Sequence, residues 1–501
     1  MLEEKAAFIK KAESLKPKLY IKRVRPLLGI PTDKLKAGDS TVFDFGNHFV
    51  GRIKLKLSSA GSHQDAPAFI KIKFCENKRE LDEDAADYHG WISKGWIQEE
   101  WLHIDVLPAV VNVDRRFSFR YVKLEVIDVS SKFSLVVDDI EAETYTSAND
   151  ECVNKYSGSR EEEDLDRVSI RTLRNCMQEV FEDGPKRDRR LWIGDLRLQA
   201  LANYATFKNN DLVKRCLYLF AGTTDDNGRI TACVFTEPNV EGDDTYMFDY
   251  SLFFIPTLLD YYNETKDLET VSDLFDTAKR QVELAKECFG PDDIINDSDV
   301  MGWCFLDWNL RLNKQAGAQA VYIYCEKALV KLAKYLGKSE LAAELCNDVE
   351  NKVKAAKEKL YDKDLGLFVS GREKQVSYAT QAWAVLAGIF DDEVNHEILN
   401  RLHEYKNAEK MVTPYMYHHY IEALIKSGNK KLAYDKMCSY WGAMIEKGAD
   451  TYYELFNPEN PYESPYGSSV VNSYCHAWSC TPAYFIRSCG LNKENLYNQL
   501  I

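Results

Sequence analysis

Near Ser147-Ala-Asn-Asp-Glu151 the hydrophobic pattern of this 501-residue chain changes period, and that change limits what it can fold into. Between about residues 38 and 147, apolar and polar residues alternate. Thr41–Phe45, Val50–Leu57, Ala68–Phe74, Trp101–Val106, Phe117–Val126 and Phe133–Ile140 all read at period two, as strands with one buried face do. Six such runs with short connections predict an antiparallel β-sandwich, jelly-roll-like in form. After residue 151 the period is helical almost to the end. Twelve segments qualify, near 160–180, 195–208, 210–223, 247–264, 268–289, 315–336, 338–360, 378–390, 392–405, 413–427, 429–445 and 471–489. Several end at a glycine, as at Gly337, Gly388 and Gly428. Twelve helices make six hairpins, and a ring of six hairpins, the (α/α)6 barrel, is their closed arrangement. Tyr246–Leu259 is apolar on nearly every face, as an inner helix of such a ring must be. The chain therefore reads as multidomain and mainly α: a β-sandwich with an N-terminal extension over 1–148, then an (α/α)6 barrel over 149–501.

Charge and composition exclude several classes of function. Sixty-four basic residues against 79 acidic ones give a net charge of −15, which argues against nucleic acid or an anionic membrane as partner. No window approaches eighteen apolar residues, so no membrane span is expected. Charges interrupt the opening Met1-Leu-Glu-Glu-Lys, so it does not read as a signal peptide. The thirteen cysteines are scattered, with no C-x-x-C pair and no histidine at zinc spacing. They read as reduced, mostly buried thiols, which places the protein in the cytoplasm. His418-His419 point to different helix faces, and Asp243-Asp244 lacks any EF-hand-like pattern, so no metal is predicted. No cofactor motif appears either. The oligomeric state is left open, and the partner expected is a small molecule or an oligosaccharide.

The long connections point to that partner. They span 181–194, 224–246, 290–314, 361–377 and 446–470, and most alternate with short ones. Alternation gathers them at one mouth of the barrel, where ligand sites form. Acids and aromatics concentrate there: Asp183, Asp188, Trp192, Asp195, Glu237, Asp243, Asp244, Trp303, Asp307, Trp308, Tyr452, Tyr453 and Glu454. The densest stretch, Asp183-Gly-Pro-Lys-Arg-Asp-Arg-Arg-Leu-Trp-Ile-Gly-Asp195, holds three carboxylates, three arginines, a lysine and a tryptophan. Carboxylates bind hydroxyls or move protons, and an indole stacks on a pyranose ring. The competing reading is a solvated charged turn. Glycoside hydrolysis needs two carboxyl groups. The first loop offers Asp183, Asp188 and Asp195. The last offers Glu454, between Tyr453 and Leu455, where burial would raise its pKa. Its alternative role is an ion pair with an arginine. Arg187, Arg189 and Arg190 either bind an acidic sugar or pair with neighbouring acids and keep Asp183 and Asp195 ionised.

The pattern Asp-x-Pro-x-Arg-(acid)-x-x-x-Trp-x-Gly-Asp over 183–195 resembles the catalytic loop of glycoside hydrolase family 78, the α-L-rhamnosidases. Tyr452-Tyr-Glu-Leu is similar to that family's aromatic-aromatic-Glu segment. Ser473-Tyr-Cys-His-Ala-Trp-Ser-Cys-Thr-Pro-Ala-Tyr-Phe485, followed by Gly490-Leu491, resembles its last inner helix. Phe43–Arg52, Phe74-Cys-Glu76 and Arg116–Glu125 look like the β-sandwich that precedes its barrel. The resemblance implies an inverting, one-step hydrolysis by water. It places the general acid on Asp188 and the general base on Glu454. Asp183 and Asp195 would hold sugar hydroxyls, Trp192 would pack on the ring, and His476 would be a further contact. Arg187, Trp303, Asp307 and Trp308 complete the expected substrate-binding set, with Asp307-Trp308 on the rim.

Two departures from the family pattern stand out. Aspartate occupies an acid position that is usually glutamate, and a carboxyl about 1 Å short can cost on the order of 100-fold in rate. The chain also ends soon after the last barrel helix, which suggests a compact enzyme for small glycosides. The expected activity is exo-hydrolysis of terminal α-L-rhamnose. The alternatives are a glycosidase of the same fold for another terminal sugar, or a non-catalytic carbohydrate-binding relative.

Overall fold

The structure, a computed structural model, describes residues 2–29, 34–296 and 302–498. Six strands form one antiparallel sheet in the order β1-β6-β2-β5-β3-β4. They are β1 (Tyr20–Val24), β2 (Ser40–Gly61), β3 (Ala68–Cys75), β4 (Glu99–Ile104), β5 (Ala109–Asp128) and β6 (Phe133–Thr146). The expected runs at 41–45 and 50–57 are one 22-residue strand, broken in register between Asp44 and Phe49. Extra residues there bend the strand, so it pairs with β5 along its length and with β6 along its second half. The bent sheet encloses one apolar core, in which Phe43, Leu55, Phe117 and Leu135 are fully buried and the Phe74 and Phe117 rings stack at 3.6 Å. Strand β1 was not expected. Its side chains are mostly exposed, so it lacks the alternation that marks a half-buried strand.

Among the described residues, five long inner helices and six outer ones alternate along the rest of the chain. The inner ring runs through Ile193–Ala205, Phe248–Thr265, Gln315–Tyr335, Tyr378–Ala387 and Pro414–Lys426, each packed on the next. Their outer partners are Asn210–Gly222, Leu268–Lys286, Ser339–Lys359, Asp392–Glu404 and Lys430–Glu446, with Arg160–Cys176 completing the set. Helix Leu268–Lys286 shows why the two classes differ. Val271, Leu274, Phe275, Ala278 and Val282 form one buried stripe at helical spacing, and the other face is charged. Phe248–Thr265 is instead buried nearly all round. No described helix is long and apolar enough to cross a membrane.

Two expectations need correction. The segment 471–489 is not one helix. It is an extended stretch, a 3-10 turn at Ala477–Ser479 and a short helix, Pro482–Arg487. Pro482 has no N–H to donate, and the N–H groups before it are engaged elsewhere. Tyr474 N donates to the Glu76 carboxylate, His476 N to Tyr452 O and Ala477 N to Asp183 O. The turn and short helix still close the ring against Ile193–Ala205 and Pro414–Lys426. Second, the N-terminal extension is divided: β1 and Leu35 belong to the sheet, whereas its first helix lies on the barrel. Helix Leu2–Ser14 packs on Asn210–Gly222, and Phe8 and Ala12 lie in the barrel core.

One core carboxyl makes the fold pH-sensitive. Burial, and then the charge of Asp348, push Glu326 on an inner helix up to about 8. A carboxyl raised this way favours the protonated folded state, so its stabilisation is complete in acid and is lost as pH rises from about 4.5 to about 8. Glu326→Gln keeps the shape and removes the charge. Its Tm should match wild type near pH 5 and exceed it at pH 9 by at least about 2 °C in a calorimetric scan. Equal Tm differences at both pH values would refute the assignment.

Candidate active site

The loop between helices Arg160–Cys176 and Ile193–Ala205 is folded around Asp183. The Asp183 carboxylate accepts the N–H of Asp188 and of Arg190, both at 3.0 Å, and its own N–H donates to Arg190 O. Gly184 has no room for a side chain: a Cβ there would lie 2.6 Å from Arg187 O and 2.8 Å from Ser473 Oγ. Gly194 is constrained in the same way, by the Tyr250 ring at 2.3 Å. The two glycines of the motif thus let the loop lie against the 473–476 segment and against an inner helix.

All of the expected site residues except Asp307 line one cavity of about 300 Å³. Asp183, Arg187, Asp188, Trp192 and Asp195 come from the first loop, and Trp303 and Trp308 from a later one. Glu454 and His476 complete the set from the end of the chain. The connections 181–194, 224–246, 290–314 and 446–470 therefore converge, as their alternation predicts, among the described residues. The 361–377 connection contributes nothing to this cavity and folds into a small hairpin, Tyr361–Asp362 with Leu367–Phe368.

Arg187 is the hub. Its side chain is almost completely buried. One guanidinium nitrogen bonds Glu454 Oε2, another lies 3.6 Å from Asp188 Oδ1, and Nε donates to Val471 O at 3.0 Å. The same group lies over the Tyr466 ring at 4.0 Å, and the Tyr466 hydroxyl donates to Glu454 Oε1. Burial opposes the guanidinium charge, but Glu454, Tyr466 and Asp188 outweigh it and hold the cation firmly. Glu454 is thus both the ion-pair partner that one reading predicted and a wall of the cavity.

The remaining acids differ from expectation. Arg189 donates to the carbonyls of Pro185, Lys186 and Arg116, and Arg190 lies over the Phe235 ring. Neither arginine keeps Asp183 or Asp195 ionised. Burial, and then the nearby charge of Asp188, push Asp183 up to about 7. Burial also raises Asp195, against the hydrogen bond it shares with His476 Nε2 at 3.0 Å. Burial works against a charged His476, yet Asp195 and the charge of Glu454 prevail and raise its pKa. Asp307, expected on the rim, is structural. Its carboxylate accepts Thr413 N, Thr413 Oγ1, Val412 N and Trp308 N, so it fixes Thr413, the N-cap of helix Pro414–Lys426, and is not among the residues that line the cavity. The Asp307 carboxyl is pushed up to about 6 by its burial.

Several lining residues carried no sequence signal. Tyr466 sits in an irregular loop, and Trp91 and Trp96 come from turns of the sheet domain. Aromatics at 91 and 96 that fit no strand pattern were the available hint. Three buried nitrogens of residues that line the cavity lack a hydrogen-bond partner among the described residues: the indole Nε1 of Trp192 and of Trp308, and His476 Nδ1. Hydroxyls of a bound sugar would satisfy such groups.

Two family models match the chain. The glycosyl hydrolase family 78 α-rhamnosidase N-terminal domain covers residues 9–144, and the bacterial α-L-rhamnosidase six-hairpin glycosidase domain covers 157–489. Among solved structures, a rhamnosidase from Klebsiella oxytoca with rhamnose bound is 44% identical, with a TM-score of 0.94 over 97% of this chain and 99% of that one. The family 78 rhamnosidase of Bacillus sp. GL1 shares the fold at 21% identity and TM-score 0.76, over 92% of this chain and 47% of that one. So does the α-L-rhamnosidase of Streptomyces avermitilis complexed with L-rhamnose, at 15% identity and TM-score 0.69, over 94% and 44%. A search of curated proteins gave no match. The fold, the motif loop and both domain matches agree: this chain belongs to glycoside hydrolase family 78, the α-L-rhamnosidases.

Proposed function

We propose that this protein hydrolyses terminal α-L-rhamnosyl residues of small glycosides or oligosaccharides in one step, with inversion at the anomeric carbon. The observation that carries the reading is the pair of carboxylates, Asp188 and Glu454, held in one cavity by a single guanidinium. Arg187 keeps the two carboxyl groups within one guanidinium's reach of each other, and an inverting pair would stand roughly 6.5–9.5 Å apart to leave room for water between acid and base. Asp188 is the more open of the two and protonates the departing oxygen. Glu454, ion-paired and buried, takes the proton from the attacking water. Asp183, Asp195 and His476 hold hydroxyls, and Trp192, Trp303 and Trp308 wall the ring. A cavity of about 300 Å³ suits a single terminal sugar, hence the exo assignment.

One observation favours a second assignment, with Asp183 as the acid: its carboxyl is the one pushed up to about 7. Against it, both oxygens of Asp183 accept N–H groups of its own loop.

Kinetics separate the two. Asp188→Asn should lose about 100-fold or more on an alkyl α-L-rhamnoside and far less on a dinitrophenyl one, whose leaving group needs no proton. If Asp183→Asn shows that pattern and Asp188→Asn does not, Asp183 is the acid. NMR of the first product anomer should show inversion, and retention would overturn the mechanism.

A further inference from the structure

Residues Glu76–Glu80 leave the sheet domain at the end of β3 and enter the barrel mouth, where the side chains of Glu76, Asn77 and Glu80 each meet a segment of the catalytic site. Glu80 is buried and its Oε2 accepts the N–H of Glu76 and of Asn77, which fixes the turn. Its other oxygen pairs with Lys186 Nζ at 2.5 Å, and Lys186 also donates to Asn472 O at 2.8 Å. Lys186 is itself fully buried, next in sequence to Arg187 and Asp188. Asn77 Nδ2 donates to the Tyr453 hydroxyl at 2.8 Å, one residue before Glu454. Glu76 Oε2 accepts Tyr474 N at 2.7 Å, two residues before His476. On its far side, Glu76 Oε1 accepts from Ser118 Oγ at 2.6 Å and lies 3.2 Å from His48 Nε2, both in the sheet.

The acid loop, counted from Asp188, lies more than 260 residues before the base and His476 segments in the sequence, yet all three hang from this one stretch. We infer that Glu76 and Glu80 are positioning residues of the sheet domain that set the acid, the base and His476 relative to one another. The inference rests on the carboxylate roles proposed above. It goes beyond them by giving the sheet domain a part in turnover. Burial argues that the network is not there for stability alone, because a buried ion pair gains little over packed carbon of the same volume. What it provides is geometry: a charged, hydrogen-bonded tether fixes the loop where a greasy contact would let it slide.

Three variants test this, with kcat, KM and Tm measured on the full chain. Glu80→Asp keeps the charge and withdraws the carboxylate by about 1 Å, a displacement that can cost on the order of 100-fold. We expect kcat to fall by that factor, with KM within about threefold of wild type. The double variant Glu80→Gln/Lys186→Met removes both charges together and leaves an amide oxygen to accept the N–H of Glu76 and Asn77, so it should hold a near-native Tm while kcat stays low. Leu55→Ala, in the sheet core away from the network, lowers Tm and serves as the control; its kcat should stay native below its melting range. Wild-type kcat in the double variant would overturn the inference. So would an equal kcat loss in Leu55→Ala, since the effect would then be general softening. Failure of the carboxylate roles shows separately, as wild-type retention of anomeric configuration or as active Asp188→Asn.

Discussion

Glu454→Ala should lower kcat by about 10³-fold or more on any α-L-rhamnoside, with activated leaving groups giving no relief, because the step it removes is activation of water. The excised side chain leaves a small space beside Arg187 and Tyr466, the two groups that bound it. Azide or formate can occupy that space. Azide should restore a measurable rate and give a rhamnosyl azide of inverted configuration. Recovery without azide incorporation, or a product of retained configuration, would count against Glu454 as the base. The variant also strands a buried cation, at a cost of about 3–5 kcal/mol, so Tm must be followed in parallel. The added anion should return part of it.

Arg187→Lys should be nearly as damaging, although it keeps the charge. The guanidinium bonds Glu454, approaches Asp188 at 3.6 Å, donates to Val471 O and lies flat over Tyr466. An ammonium is a point charge on a flexible stem and cannot make a fork contact and a stacked contact together. Lysine would therefore serve one carboxylate and release the other. We expect a loss of kcat of about 10²–10³-fold with KM changed much less. We also expect a stability loss of about 1–3 kcal/mol from the stranded Val471 carbonyl. If Arg187 were chiefly a substrate contact, KM would rise and kcat would hold. The kcat-to-KM split decides between the two roles.

These residues also show where sequence reasoning reached and where it stopped. The period change near residue 147 was enough for the sheet and the barrel, because burial on one face imposes its spacing on the chain. Loop lengths sufficed to predict that 181–194 and 446–470 share a mouth, since alternate connections of a hairpin ring lie at one end. The 361–377 loop shows the limit of that rule: its hairpin turns back on itself. Strand β1 left no signal because an exposed strand buries no face. The break in 471–489 was marked by Pro482, but the reason for the extended stretch before it lies in acceptors from the sheet domain, far away in sequence. Protonation was the least legible property. Three arginines beside Asp183 suggested an ionised group, and only the fold reveals that two of them face elsewhere while burial dominates. Tyr466, Trp91 and Trp96 sit in irregular turns, where no periodicity exists to be read.

Helix Leu2–Ser14 lies on the barrel, and the chain returns to the barrel after β6. The sheet is therefore moored at both of its covalent attachments and again at Lys186. A body tied at three points cannot swing on a single hinge. The part of the cavity wall that Trp91 supplies is then carried on a fixed body rather than on a swinging one.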